Sequence, residues 1–129
     1  MIDHVGFSVS DYERAKAFYL KALAPLGYTL IKEVPADVTQ AGFAAAGLGK
    51  DGKPDLWFSG EGKPEHPVHV AVIATNRVMV DEFYREALAA GGRDNGAPGL
   101  RPHYHANYYG AFVLDPDGHN IEAVCHAPA

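Results

Sequence analysis

The sequence predicts an α+β fold of two tandem β-α-β-β-β modules, and three observations lead there. First, His4 and His69 stand 65 residues apart, and Ala15, Phe18, Tyr19, Ala22, Leu23 and Gly27 meet Val80, Phe83, Tyr84, Ala87, Leu88 and Gly92 at that same offset. Similarity at a fixed period is the signature of a repeated structural unit. Second, each repeat opens with a segment that alternates in polarity and passes into an apolar stripe of helical period. Third, 129 residues suffice for one domain with a shared core. The reading is therefore a single domain over 1–129, with module one at about 1–62 and module two at about 66–129.

In the first module, residues 2–9 (IDHVGFSV) read as a half-buried strand. Val5, Phe7 and Val9 point one way, and His4, Gly6 and Ser8 the other. Ser10 and Glu13 have capping-box spacing, which predicts a helix start there. The stripe Ala15, Phe18, Tyr19, Ala22 and Leu23 is its core face, and Pro25 and Gly27 close it. LGYTLIKEV, VTQAGFAAAG and PDLWFSG follow as three strands, separated by Pro35, Gly47, Gly49 and Gly52.

The second module repeats the plan. In PVHVAVIA, Val68, Val70 and Val72 take one face and His69, Ala71 and Ile73 the other. A helix from about Asn76 to Ala90 carries Val80, Phe83, Tyr84, Ala87 and Leu88 inward. RDNGAPGLRPHYHAN, rich in Gly and Pro, reads mainly as loop with one short strand. YYGAFVLD and HNIEAVCH are strands joined by a tight turn at Asp115-Pro116-Asp117-Gly118, in which Pro116 fixes φ.

Composition excludes several classes. No apolar run approaches the roughly 18 residues a membrane helix needs. The N-terminal residues lack the basic-then-apolar pattern of a secretion signal. A net charge of −5 argues against a nucleic-acid partner. The one cysteine, Cys125, is expected as a buried thiol and fits a reducing, cytoplasmic setting.

The chemistry sits where the helices do not. One helix per module covers one face of a sheet, so the other face must meet a ligand, the other module or a second subunit. Both first strands put a histidine on that open face. In the last strand, Ile121, Ala123 and Cys125 form the helix-facing side, which turns Glu122 toward the side of His4 and His69. Two imidazoles and one carboxylate leave coordination positions open and suit a divalent first-row metal.

His4, the Phe18-Tyr19 pair, His69, the Phe83-Tyr84 pair and the closing DPDGHNIEAV together resemble the vicinal oxygen chelate superfamily, the glyoxalase, bleomycin-resistance and extradiol dioxygenase group. The resemblance covers essentially the whole chain, and the DPDG turn followed by Glu122 is its most specific part. It implies a curved, barrel-like mixed sheet with the helices outside, a homodimer and a small-molecule substrate. It also implies a divalent metal ion (Fe, Mn, Ni, Zn or Co) held by His4, His69 and Glu122. Glyoxalase I uses a fourth carboxylate on the last strand of its first module. Here an offset of 66 sets Leu56 opposite Glu122, and an offset of 65 sets Trp57 there. Neither binds metal, and Asp55 is the adjacent acid.

Around this set, Glu122, Tyr109 and His105 are the expected catalytic groups, with Tyr109 and His105 drawn from a Gly/Pro-bounded loop that also carries His103, Tyr104 and Tyr108 and is able to move a proton. His126 shares the parity of Glu122. His66 and His119 are expected in solvated turns. The function so predicted is a metalloenzyme of lyase, isomerase or extradiol-dioxygenase type that chelates vicinal oxygens of a small substrate. The alternative is a metal-free small-molecule-binding protein of the bleomycin-resistance type.

Overall fold

The computed structural model describes residues 1–129. It contains two four-stranded mixed sheets, each backed by one helix. Module one runs β1 (Val5–Ser8), α1 (Tyr12–Leu23), a 3-10 turn (Ala24–Leu26), β2 (Thr29–Val34), β3 (Ala45–Lys50) and β4 (Lys53–Ser59). Module two runs β5 (His69–Ile73), α2 (Arg77–Ala89), β6 (Arg93–Leu100), β7 (Tyr109–Leu114) and β8 (Asn120–Cys125). The strand orders correspond, β1-β4-β3-β2 and β5-β8-β7-β6, with the first strand parallel to the last in each. No ladder joins the two sheets, so they are not closed into a barrel.

Both helices bury the stripes their sequences present. Ala15, Phe18, Tyr19, Ala22 and Leu23 are buried in α1, and Val80, Phe83 and Ala87 in α2. These belong to one core cluster of 22 residues drawn from both modules. Gly92 permits the close approach after α2, because a Cβ there would stand 2.5 Å from Val113 and 2.8 Å from Phe18 of the other module. The cap of α1 is Asp11 rather than Ser10. The Asp11 carboxylate accepts from Arg14 N at 3.1 Å, an orphan donor of the first turn. Asn76 caps α2 in the same way.

Two segments depart from expectation. Residues 36–43 do not extend β3. The Thr39 hydroxyl donates to the Phe43 carbonyl and accepts from Gly42 N, which locks the chain into turns until Ala45. Conversely, Arg93–Leu100 is an eight-residue strand where Gly and Pro predict mostly loop. It lies at a sheet edge with register shifts around Gly96, and an edge with bulges is where a strand tolerates Pro98. The β3–β4 hairpin turns on Asp51-Gly52, both at positive φ (54° and 76°), as a two-residue primed turn requires.

The closing turn explains why its sequence is so particular. Asp115, 1% exposed, accepts from the Tyr19 hydroxyl at 2.5 Å and from the backbone N–H groups of Asp117 and His119. His119 is fully buried, not solvated. Its Nδ1 accepts from Val68 N at 3.0 Å, which leaves Nε2–H to donate to the Ser8 carbonyl at 2.8 Å. Its ring packs 4.5 Å from Phe7. Asp117 accepts from Ser10 N. Tyr19, Phe7, Ser8 and Ser10 belong to module one, so this turn fastens the two modules together.

Candidate metal centre on the open sheet face

Register decides which residues are equivalent. Val5 pairs with Leu56, and Val70 pairs with Ile121. The offset of 65 therefore holds through β4 and β8, and Trp57 occupies the position matching Glu122. Leu56 is buried in the core like Ile121. Asp55 falls at a bulge, since Leu48 pairs with Leu56 while Gly49 pairs with Pro54. Its Oδ1 is buried without a hydrogen-bond partner. Burial first, and then the Asp55 carboxylate, push the Tyr28 hydroxyl above its ordinary range.

In module two the expected alternation holds. Ile121, Ala123 and Cys125 are buried in the core, and the Cys125 thiol is free. Glu122 projects from the opposite side yet is only 1% exposed. His69 Nε2 lies 2.9 Å from its Oε1, and the Tyr108 hydroxyl donates to Oε2. No Lys or Arg pairs with this carboxylate; His69 is its one basic partner. Burial, and next the hydrogen bond to Glu122, hold the Tyr108 hydroxyl well above its ordinary range. A shielded carboxylate with an imidazole on one oxygen and a phenol on the other is equipped to hold or pass a proton.

His4 lies outside this contact. Its ring is exposed, with Nδ1 2.7 Å from Asp3 Oδ2. It does line the same groove as His69, a cleft of about 340 Å³ that also includes Tyr28, Asp55 and Val72. No three ligand-type side chains converge on one point within the chain. The structure thus brings His69 and Glu122 together and leaves His4 across the groove.

Of the expected proton-transfer residues, Tyr109 faces the helix, where its hydroxyl donates to Asp81 of α2 at 2.7 Å. Strand parity accounts for this. Tyr109 shares the side of Ala111 and Val113, which are buried in the core, whereas Phe112 lies across from Glu122. Tyr108, one residue earlier, is the phenol that reaches the site. His105 is exposed; its Nδ1 accepts from Asn107 N, and its Nε2 faces His126 Nδ1 at 2.8 Å. That contact ties the loop to the C-terminal residues, and neither histidine touches Glu122.

The fold described here has counterparts among known proteins. Residues 1–123 match the family described as Glyoxalase/Bleomycin resistance protein/Dioxygenase superfamily. The chain belongs to this superfamily. Among solved members, a glyoxalase/bleomycin resistance protein from Albidiferax ferrireducens T118 superposes with a TM-score of 0.75 at 24% identity, over 97% of this chain and 98% of that one. An E144Q mutant of glyoxalase I from Zea mays gives 0.70 at 25% identity; it covers 95% of this glyoxalase-superfamily chain, which spans only 46% of the maize protein. TioX from Micromonospora sp. ML1 gives 0.68 at 20% identity, over 98% and 99% of the two chains. No curated protein matches by sequence. No helix is long and apolar enough to cross a membrane.

Proposed function

We propose that this superfamily member is a metalloenzyme in which His69 and Glu122 hold a divalent ion against a small substrate, with His4 joining them from the second copy of a homodimer, since the three do not converge within one chain. The carrying observation is the buried Glu122 carboxylate, lacking any Lys or Arg partner, with His69 Nε2 2.9 Å away on the open face. An imidazole nitrogen and a carboxylate oxygen so placed fit Fe, Mn, Ni, Zn or Co. Such an ion would polarise two neighbouring oxygens of the substrate as a Lewis acid. Tyr108 fixes the orientation of Glu122 through Oε2 and keeps a proton at that oxygen's edge. The burial of Glu122 limits water there and strengthens its interaction with charge that develops nearby. Lyase, isomerase and extradiol-type ring cleavage all draw on this arrangement.

A homodimer belongs to the proposal. Ile2 and Ile73 are 78% and 66% exposed beside the groove and at the end of β5, apolar surface that a second copy would cover. The buried, unpaired Cys125 is in keeping with a cytoplasmic setting.

One observation favours a second reading. In module one, Trp57 stands where module two has Glu122, and it lines a groove of about 410 Å³ with Gly6, Ser8, Ala45 and Ser59. Its lining includes one carboxylate, Glu61, and no histidine, and an aromatic wall of that kind suits metal-free binding of a small molecule, as in bleomycin-resistance proteins. Such binding would stabilise the protein equally with and without a chelator.

The test is the metal content of protein purified without chelators, for wild type, His4→Ala, His69→Ala and Glu122→Ala. The enzyme reading predicts one ion per wild-type chain and loss in the His69 and Glu122 variants. Equal, negligible metal in all four would remove it.

A further inference from the structure

Arg101 is the cation of the module-two open face, and its setting is built. Its Nη1 and Nη2 donate to the Gly99 and Ala97 carbonyls, each at 2.8 Å. Its backbone is fixed as well, with Arg101 N donating to the Tyr108 carbonyl at 2.7 Å. The guanidinium lies over the Phe112 ring, 5.3 Å from its centroid. Two glycines of β6 make room for it. A Cβ on Gly96 would stand 3.2 Å from Nη2, and one on Gly99 would stand 3.3 Å from Nη1. Arg101 enters no ion pair with any carboxylate of this acidic chain. A guanidinium offers five N–H donors, so two carbonyls leave capacity for a ligand. Phe112 connects it to the site, being paired across the strands with Glu122 and 6.2 Å from the His69 ring.

We infer that Arg101 is an anion-recognition residue, and that the ligand of this face is a small molecule with a carboxylate that docks on the guanidinium beside Phe112. This rests on the reading of the His69–Glu122 face as the substrate side and adds the substrate's charge to it. Holding the guanidinium in advance by carbonyls and a ring removes much of the ordering cost of binding, and a planar fork matches a carboxylate bidentately where an ammonium does not.

The experiment compares benzoate with benzamide on protein stripped of metal by EDTA and then dialysed free of the chelator, so that metal plays no part. Binding is followed by NMR at the Arg101 Nε–H and by the dissociation constants. Wild type should bind benzoate in the millimolar range, preferring it to benzamide by about tenfold. R101Q should lose the preference, and R101K should keep only a fraction of it. Equal binding of the two probes, no saturable benzoate binding, a preference that survives in R101Q, or a full preference in R101K would each overturn the inference. A benzoate preference in a protein that takes up no metal would sink the metal reading alone.

Discussion

Tyr108 and His69 grip the two oxygens of one buried carboxylate, Glu122, from different elements: His69 opens β5, and Tyr108 ends the loop before β7. Because Glu122 is only 1% exposed, each partner matters more than it would in water.

This makes Tyr108 a reporter on Glu122. Its hydroxyl is raised by burial first and by Glu122 second. Glu122→Gln removes the charge and leaves the burial. Tyr108 should then ionise at a lower pH than in wild type, though still above an ordinary tyrosine. Ultraviolet titration of wild type against E122Q, with Y108F to identify the phenol, measures this. An unmoved titration would mean the hydroxyl does not bond Glu122.

The clamp between modules should dominate stability. His119→Ala leaves the Val68 N–H and the Ser8 carbonyl without their partner inside the protein. Both bonds are only part-buried, so each group left without a partner costs near the low end of about 1–3 kcal/mol, and a loss of roughly 2–3 kcal/mol is expected in urea denaturation. His66→Ala, at an exposed position, should change stability by less than about 0.5 kcal/mol.

The start of α1 offers a sharper discrimination. Asp11→Ala should cost about 1 kcal/mol, the usual value of an N-cap. Ser10→Ala should cost under about 0.5 kcal/mol, since Ser10 is exposed and its hydroxyl makes no capping bond. Thermal denaturation of the two variants compares them, and the reverse order would restore the capping box at Ser10.

Much of this was legible because period-two alternation is unforgiving. Once Ile121, Ala123 and Cys125 are assigned to the core, Glu122 must face the other way, and His69 with it. The same alternation turns Tyr109 to the helix with Ala111 and Val113, whereas Gly and Pro around residues 96–110 mark a loop and hide that parity. The direction of Asp55 is not readable from alternation, because a bulge breaks it and a bulge is fixed by pairing across strands. His119 looked solvated because Gly and Asp around it mark a turn. That the turn is buried depends on the other module folding over it, a contact 111 residues distant in sequence. β6 was obscured because an edge strand can accept the glycines and proline that a central one cannot.

Acid should loosen the α1–β2 contact. Glu33 accepts from Lys16 and from the Tyr12 hydroxyl, and the Lys16 and Tyr12 hydrogen bonds, in that order, lower its carboxyl below the ordinary 4.5. A lowered folded-state value means the unfolded chain binds the proton more readily. The contribution is therefore complete above about pH 4.5 and is lost as pH falls through the folded-state value. Glu33→Gln should reduce stability at pH 7 and flatten its decline below pH 4.5, and urea melts across that range test the sign.

The central claim is that His69 and Glu122 act as ligands of one ion. Cobalt(II) titration followed by visible absorption tests it most directly, because the d–d bands report the donor set. The account predicts saturation at one cobalt per wild-type chain, with bands that vanish in H69Q and E122Q and weaken in H4Q. Identical spectra for wild type and E122Q, or no bands in wild type at all, would contradict it.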